Sequence, residues 1–554
     1  MPGTLEPTVV ILHRYPGTLL RIALLSILVL LRFASQSDAL PGRGIDWATF
    51  IGGLHEDEPH DIVTDAAGYV YVTGHTYSED LPVTAGACDT THGGSTDETD
   101  VFIAKLSPDG KTLIWLTYLG GSKSDTGWGL AVAANGEVIV AGDTNSPDFP
   151  TTPGAFQADS REDSDAFVLR LKADGSGLVW STRLGGSGFD GASDLALGAD
   201  ESVYLAGITW SADFPTTPGA FQTSFSGGAY HAFAARLKAD GSALEYGTFL
   251  AGKNYEEAYG IAVSTDGRAT LCGYTYSPDF PTTPGAFDTT HNGGYYDTFI
   301  TRLNQDGSAL EFSTLAGAAG YDVANALCLA PDGELLVAGW TDSTHFPTTI
   351  NAAQRHPGGA RDGFVLRLSP DGSSLVSASY VGGSGADYAS SIGCDSSGIV
   401  WASGSTHSSN FPLTSSAIDG VYRGGDDAWV AVWTPDGTRL IFSTLLGGTA
   451  DDYGSRLAVV PDGVLVTGDF MSPDAPVSPG AFDTTWNGHR DIFVARLRIP
   501  GTWMEAVRAL QTAGGLYSPT PSEISRWDVV TDGRSSGRID LSDAVSLARA
   551  ASGL

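Results

Sequence analysis

Basic residues are scarce in this chain. Its 554 residues include 30 Lys and Arg against 64 Asp and Glu, a formal net charge of -34. Such a surface repels phosphate backbones, which excludes nucleic acid as a partner class. The plain reading of the acidity is solubility, and calcium binding is the sharper one. Long apolar runs are also missing. The run Ile22 to Leu31 has only ten residues, too few to span a bilayer. Cysteine is sparse too. Cys88, Cys272, Cys328 and Cys394 show no C-x-x-C spacing, which argues against a metal knuckle. They read as buried thiols, and the sequence chooses no pairing among them. Enzyme signatures are absent as well. There is no H-E-x-x-H, and Gly110-Lys111-Thr112 lacks the preceding glycine of a phosphate loop. The one G-x-S-x-G match, Gly533 to Gly537, stands outside any strand-to-helix elbow.

The N-terminus carries a targeting pattern. Arg14 and Arg21 precede the apolar run, and Ser37-Asp38-Ala39 offers small residues around a cleavage point. Residues 1–39 are therefore expected to be a signal peptide, and the mature protein is expected to be secreted or at the cell surface.

The dominant feature is internal repetition. Units begin near Trp47, Trp115, Trp180, Tyr246, Phe312, Ser377 and Phe442, at spacings of 68, 65, 66, 66, 65 and 65 residues. Each unit holds four apolar, alternating runs of strand length, as in LVWSTRL, SDLALGA, SVYLAGI and HAFAARL of the third. Asp-Gly pairs such as Asp109-Gly110 and Asp240-Gly241 separate two of the runs. They predict hairpin turns in which both central residues take positive φ. Four short antiparallel strands repeated radially make a β-propeller. The repeats open on a fourth-strand run, Ile45 to Ile51, and close on a third-strand run, Ile492 to Leu497. The expected fold is all-β: a seven-bladed propeller over 40–500, closed by its N-terminal strand, with a small α-helical module over 501–554.

The motifs D-F-P-T-T-P-G-A-F, D-A-F-V-x-R-L-x-x-D-G and S-T-x-L-G-G make the chain resemble the seven-bladed propeller repeats (SBBP type) of bacterial exported proteins, over about residues 45–500. That resemblance implies the fold and no single activity.

Two sets of residues are candidate sites. Asp57, Asp125, Asp190, Glu256, Asp322, Asp387 and Asp452 each precede an inner strand, so seven carboxylates are expected to ring one mouth of the channel. They read as backbone caps or as a cation site. The loops holding Ser146-Pro147-Asp148-Phe149-Pro150 and its repeats read as packed structure, with phenylalanine filling the gap between blades. His231 and Arg361 break the repeat without a partner that sequence supplies.

The second set lies after Pro500. Met504 to Leu516 and Ser542 to Leu554 align without gaps as helices. Before the second, Asp528, Asp532, Gly533, Asp540 and Asp543 fall near positions 1, 5, 6, 9 and 12 of an EF-type loop, once three residues are removed. Loop plus duplicated helix resembles a type I dockerin. The resemblance implies calcium on Asp528, Asp532, Asp540 and Asp543 and a cohesin-like or cell-surface partner. Val530 stands where the family has Asp or Asn, and a helical hairpin with acidic caps is the alternative. The functional expectation is an exported, non-catalytic binding or scaffold propeller, with a glycan among its partners. The alternative is a polysaccharide lyase or glycosidase, which needs carboxylates concentrated in loops that break the repeat.

Overall fold

The computed structural model describes residues 44–499, except residue 162. The expected signal peptide over 1–39, the expected helical module over 501–554 and the four candidate calcium ligands Asp528, Asp532, Asp540 and Asp543 lie outside the described residues. Twenty-eight strands form seven four-stranded antiparallel sheets. Blade 3 shows the common plan: strand A is Asp190–Leu197, B is Val203–Thr209, C is His231–Leu237 and D is Leu244–Leu250. Blade 7 takes A from Asp452–Val460, B from Gly463–Phe470 and C from Asp491–Arg498. Its D strand is the start of the repeats, Gly44–Ile51. The register sets Trp47 opposite Arg496 and Ile51 opposite Ile492. Strand A of each blade contacts strand A of the next, including that of blade 7 against blade 1. The ring is closed, and no blade is left with an open inner edge.

The aromatic residues that mark the units lock neighbouring blades together. Trp180 lies on strand D of blade 2 and donates its indole N–H to Ala239 O of blade 3 at 2.9 Å. Trp115 and Trp47 make the same bond to Ala173 O and Pro108 O of the following blades. Each ring packs beneath the glycine of the next blade's Asp-Gly pair. A Cβ at Gly241 would lie 2.5 Å from the Trp180 ring, and Gly241 has φ +67°. Only glycine meets both demands.

These turns differ from the expected form. The glycine alone takes positive φ; the aspartate does not. In the first, Gly110 N–H donates to Ser107 O, so Pro108 and Asp109 are the central pair. The aspartate side chain explains the choice. It accepts from the backbone N–H two residues on, as Asp174 does from Ser176 at 3.0 Å, which holds a right-handed turn.

The long B–C loops are packed against their blades. Phe149, Phe214, Phe280 and Phe346 are buried and meet strand C phenylalanines at ring separations of 4.6, 4.5, 4.9 and 4.5 Å. The loop aspartates face backward: Asp148 Oδ1 accepts from Ser122 N–H at 2.8 Å. Of the cysteines, all are free, and Cys328 and Cys394 place their Sγ atoms 3.5 Å apart on adjacent inner strands.

Closure is expected to carry much of the stability. Removing residues 44–51 should expose the edge of Asp491–Arg498 and produce lower-temperature unfolding with association on size-exclusion chromatography. Trp47→Ala, which empties a joint 5% exposed, should cost about 3–5 kcal/mol in denaturant unfolding.

Candidate ligand-binding face around the propeller axis

Two rings of acidic residues sit at the blade junctions. The first is the expected set. Asp57, Asp125, Asp190, Glu256, Asp322, Asp387 and Asp452 each open strand A, and all are fully buried. Asp190 Oδ2 accepts from Gly186 N–H at 2.7 Å and Ser211 Oγ at 2.7 Å. Asp125 and Asp387 repeat the pattern with Gly121 and Ser146, and with Gly383 and Ser408. These carboxylates therefore tie the D-to-A crossing to the start of the B–C loop.

The second ring opens strand C: Asp100, Asp165, His231, Asp297, Asp362, Asp427 and Asp491. Each acid of this ring faces the strand A acid of the next blade. Asp297 and Asp322 converge on Gly317, where a Cβ would lie 2.7 Å from Asp297 Oδ1 and 2.9 Å from Asp322 Oδ2. Gly447 stands in the same way between Asp427 and Asp452. Oδ1 of Asp100, Asp297, Asp427 and Asp491 is buried without a hydrogen-bond partner. Burial, with the neighbouring acid adding to it, pushes Asp297, Asp427 and Asp491 up to about 7. Burial raises Asp125 and Asp190 to about 7 as well, against their hydroxyl and N–H donors. The junction between blades 3 and 4 is built differently. His231 Nδ1 meets Glu256 Oε2 at 3.1 Å, and Ala251 stands where the other six junctions have glycine. An imidazole there answers the carboxylate with a nitrogen, where the other junctions set two acids side by side, the Asp165–Asp190 pair with the Arg183 guanidinium 3.3 Å from Asp165.

The junction residues repeat; the residues between them do not. Each A–B pair carries a β-bulge at the fourth residue of strand A. A bulge leaves its residue unpaired and re-aims the side chain. The seven bulge residues are His60, Trp128, Ser193, Tyr259, Asn325, Ser390 and Ser455. Short parallel bridges join the residue before strand C to the residue before the next strand A, as in Tyr230 with Tyr255 and Tyr296 with Tyr321. These bridges bring crossings and loop ends side by side on the B–C loop face.

Aromatic residues fill these places over blades 3 to 5. Trp210, Tyr230, Tyr255, Tyr276, Tyr295, Tyr321 and Trp340 follow one another at ring separations of 6.1, 5.0, 5.9, 6.2, 4.7 and 6.4 Å. Trp210 is 53% exposed and Tyr295 54%. Arg361 ends the arc, its guanidinium 4.0 Å from the Trp340 ring centre and its Nη1 donating to Tyr388 Oη at 2.7 Å. Beneath the arc, Tyr274 Oη donates to Glu257 Oε2 at 3.0 Å. Burial raises the Glu257 carboxyl. The two irregular positions seen in sequence thus acquire partners: Glu256 for His231, and Trp340 with Tyr388 for Arg361.

The same columns are ionic over blades 7, 1 and 2. Glu58, His60 and His75 meet Arg490, Asp469 and Trp128. Near the axis, Asp61 and Asp194 accept N–H bonds from Leu130 and Ile261 at 2.8 and 2.9 Å, with their pKa raised by burial to about 7 and about 6. On the opposite face, a cleft lined by Arg236, Glu245, Arg268 and Glu311 has its charges paired with one another or with Asp200 and Asp266. The arc is the larger departure from sevenfold symmetry, and the run-by-run reading of the sequence passed over it. Comparing the seven units column by column is the signal that separates it from the frame.

Fold and site define a closed seven-bladed β-propeller with one asymmetric face. The SBBP beta-propeller repeat family matches residues 46–82. The regulatory protein FlaEY of Caulobacter vibrioides is 28% identical over 331 residues, 55% of this chain and 32% of its own length. The chain thus spans about a third of that relative. Among solved structures, the WD40 propeller of Doa1 aligns at TM-score 0.42 and 10% identity, covering 82% of this chain and 97% of its own. An ulvan lyase aligns at TM-score 0.40 and 10% identity, covering 81% and 97%. BamB of Moraxella catarrhalis aligns at TM-score 0.32 and 10% identity, covering 82% and 100%. No helix among the described residues is long and apolar enough to cross a membrane.

The acid pairs have a pH signature. A carboxyl whose folded pKa lies above its ordinary 3.8 stabilises fully below that value and loses the contribution as pH rises through about 7. Asp297→Asn keeps the acceptor for Asn292 N–H and supplies an N–H toward Asp322. Relative to the unaltered protein, its melting temperature is expected to improve steadily from pH 5 to pH 8. A constant difference across that range would show that Asp297 does not hold a proton.

Proposed function

We propose that the protein is an exported, non-catalytic binding propeller that holds a glycan on the aromatic arc of its B–C loop face. The single observation that carries this reading is the continuous run of rings from Trp210 to Trp340, with Trp210 and Tyr295 each more than half exposed. Flat apolar rings edged by hydroxyl groups suit the C–H faces and hydroxyl rims of sugar rings. A rigid arc also loses little conformational entropy when a ligand binds. The surrounding net charge of -34 disfavours a strongly anionic chain and favours a neutral one. In this reading the C-terminal dockerin-like module tethers the propeller to a cohesin-like or cell-surface partner, with calcium on Asp528, Asp532, Asp540 and Asp543. Asp528→Ala is then expected to reduce calcium binding by the full chain in calorimetry.

A polysaccharide-active enzyme is the second reading, and Glu257 favours it. Its carboxyl is raised by burial and bonded to Tyr274 beneath the arc, an acid and a phenol in one place. Turnover of a bound glycan that Glu257→Gln abolishes while binding persists would establish this reading over the first.

Affinity electrophoresis against neutral polysaccharides tests the binding reading. Trp210→Ala and Tyr295→Ala should each weaken retention by about 1 kcal/mol, roughly fivefold in Kd. Val179→Ala, on an outer strand and 43% exposed, should leave it unchanged. Equal retention by all three variants would remove the arc as the binding surface.

A further inference from the structure

The geometry points to a transition-metal site on blade 1, in which Glu58, His60 and His75 bind one borderline divalent ion such as zinc. The ligands come together through the register of two strands. Glu58 lies directly opposite His75 in the A–B pair, and the bulge between Pro59 and Asp61 turns His60 to their side. One donor atom from each of the three lies within 4.8 Å of the others. His60 Nε2 and His75 Nδ1 are 2.9 Å apart. Two nitrogens about 2.0–2.1 Å from one tetrahedral ion stand about 3.3 Å apart, so the hydrogen-bonded pair parts by only about 0.4 Å to take an ion between its nitrogens.

The surroundings hold these donors in place. Trp128 of blade 2 stacks on the His60 ring at 4.0 Å. Arg490 of blade 7 donates to Glu58 Oε1 at 2.6 Å, which leaves Oε2 toward His75. Groups that orient ligating side chains in this way raise metal affinity. The Arg490 charge is offset by Glu58 itself and by Asp469 at 3.5 Å. Two imidazoles with one carboxylate select a borderline transition ion over calcium or magnesium, which prefer all-oxygen shells. Three protein donors leave coordination positions for water or for an oxygen of a bound ligand. In the repeat-equivalent places blade 4 has Glu257, Tyr259 and Tyr274, a set without the two nitrogens. The site therefore belongs to blade 1 and not to the repeat.

The test is zinc calorimetry on the full chain, stripped with chelator and held in excess calcium at pH 7.5 so that all-oxygen sites are filled. One saturable zinc site per chain is expected, and His60→Gln and His75→Phe should each lose it. Bound Cu(II) should show nitrogen hyperfine structure from two imidazoles, reduced to one in each single variant. Glu58→Gln preserves the contact between the histidines and should weaken zinc binding while the metal-free protein still unfolds in one cooperative transition. No saturable step in the unaltered protein would overturn the proposal. So would a step that survives in both histidine variants with an unchanged Cu(II) spectrum. Those outcomes leave a hydrogen-bonded histidine pair and no metal.

Discussion

Everything on the B–C loop face depends on a backbone pairing between the two ends of the repeat array. Gly44–Ile51 completes the sheet begun by Asp452–Arg498, and that sheet brings strand A of blade 7 against strand A of blade 1. Without this closure the blades would be a linear stack with two open edges. Arg490 would not reach Glu58, and Trp47 would not cover the first Asp-Gly turn. The local device recurs from joint to joint: at five of them an aromatic ring lies under a left-handed glycine, and all but the His231–Glu256 joint set a pair of buried acids across a second glycine. These joints recur because each must transmit the same angle between blades.

The junction acids illustrate how the frame tolerates buried charge. An isolated carboxylate in such a place is costly, and the group answers by keeping its proton. At six of the first-ring sites hydroxyl and N–H donors meet one carboxylate oxygen, while burial raises the pKa of its neighbour across the glycine. The His231–Glu256 junction reaches the same end with an imidazole nitrogen, and its glycine has become Ala251. Three substitutions at one joint, each understandable from the other two, mark the pairing as an interaction unit and not as seven separate caps.

Much of the frame was legible from residues alone. Alternating runs, Asp-Gly turns and unit markers recur seven times, so errors in any single unit average out, and the mismatch of first and last runs points to closure. The turn geometry was misread at Asp109, because the side-chain acceptor to the following N–H outweighs that residue's tolerance of positive φ. The arc was hidden for a different reason. Tyr255, Tyr276, Tyr295 and Tyr321 lie 19 to 26 residues apart and fall between the strand runs. Only the parallel bridges between blades line them up. His60 was hidden by the bulge, since alternation places it on the wrong side of its strand. The repeated loops read as packed structure and are packed, yet the asymmetry occupies the columns that the repeat leaves free.

Native-state hydrogen exchange at the closing pair examines the closed ring most directly. The account expects the amides of Thr49, Phe50 and Val494 to exchange only through global unfolding, at the rate of Leu205 and Ala206 in the middle of blade 3. Fast exchange confined to Gly44–Ile51 and Asp491–Arg498, with blade 3 still protected, would contradict it.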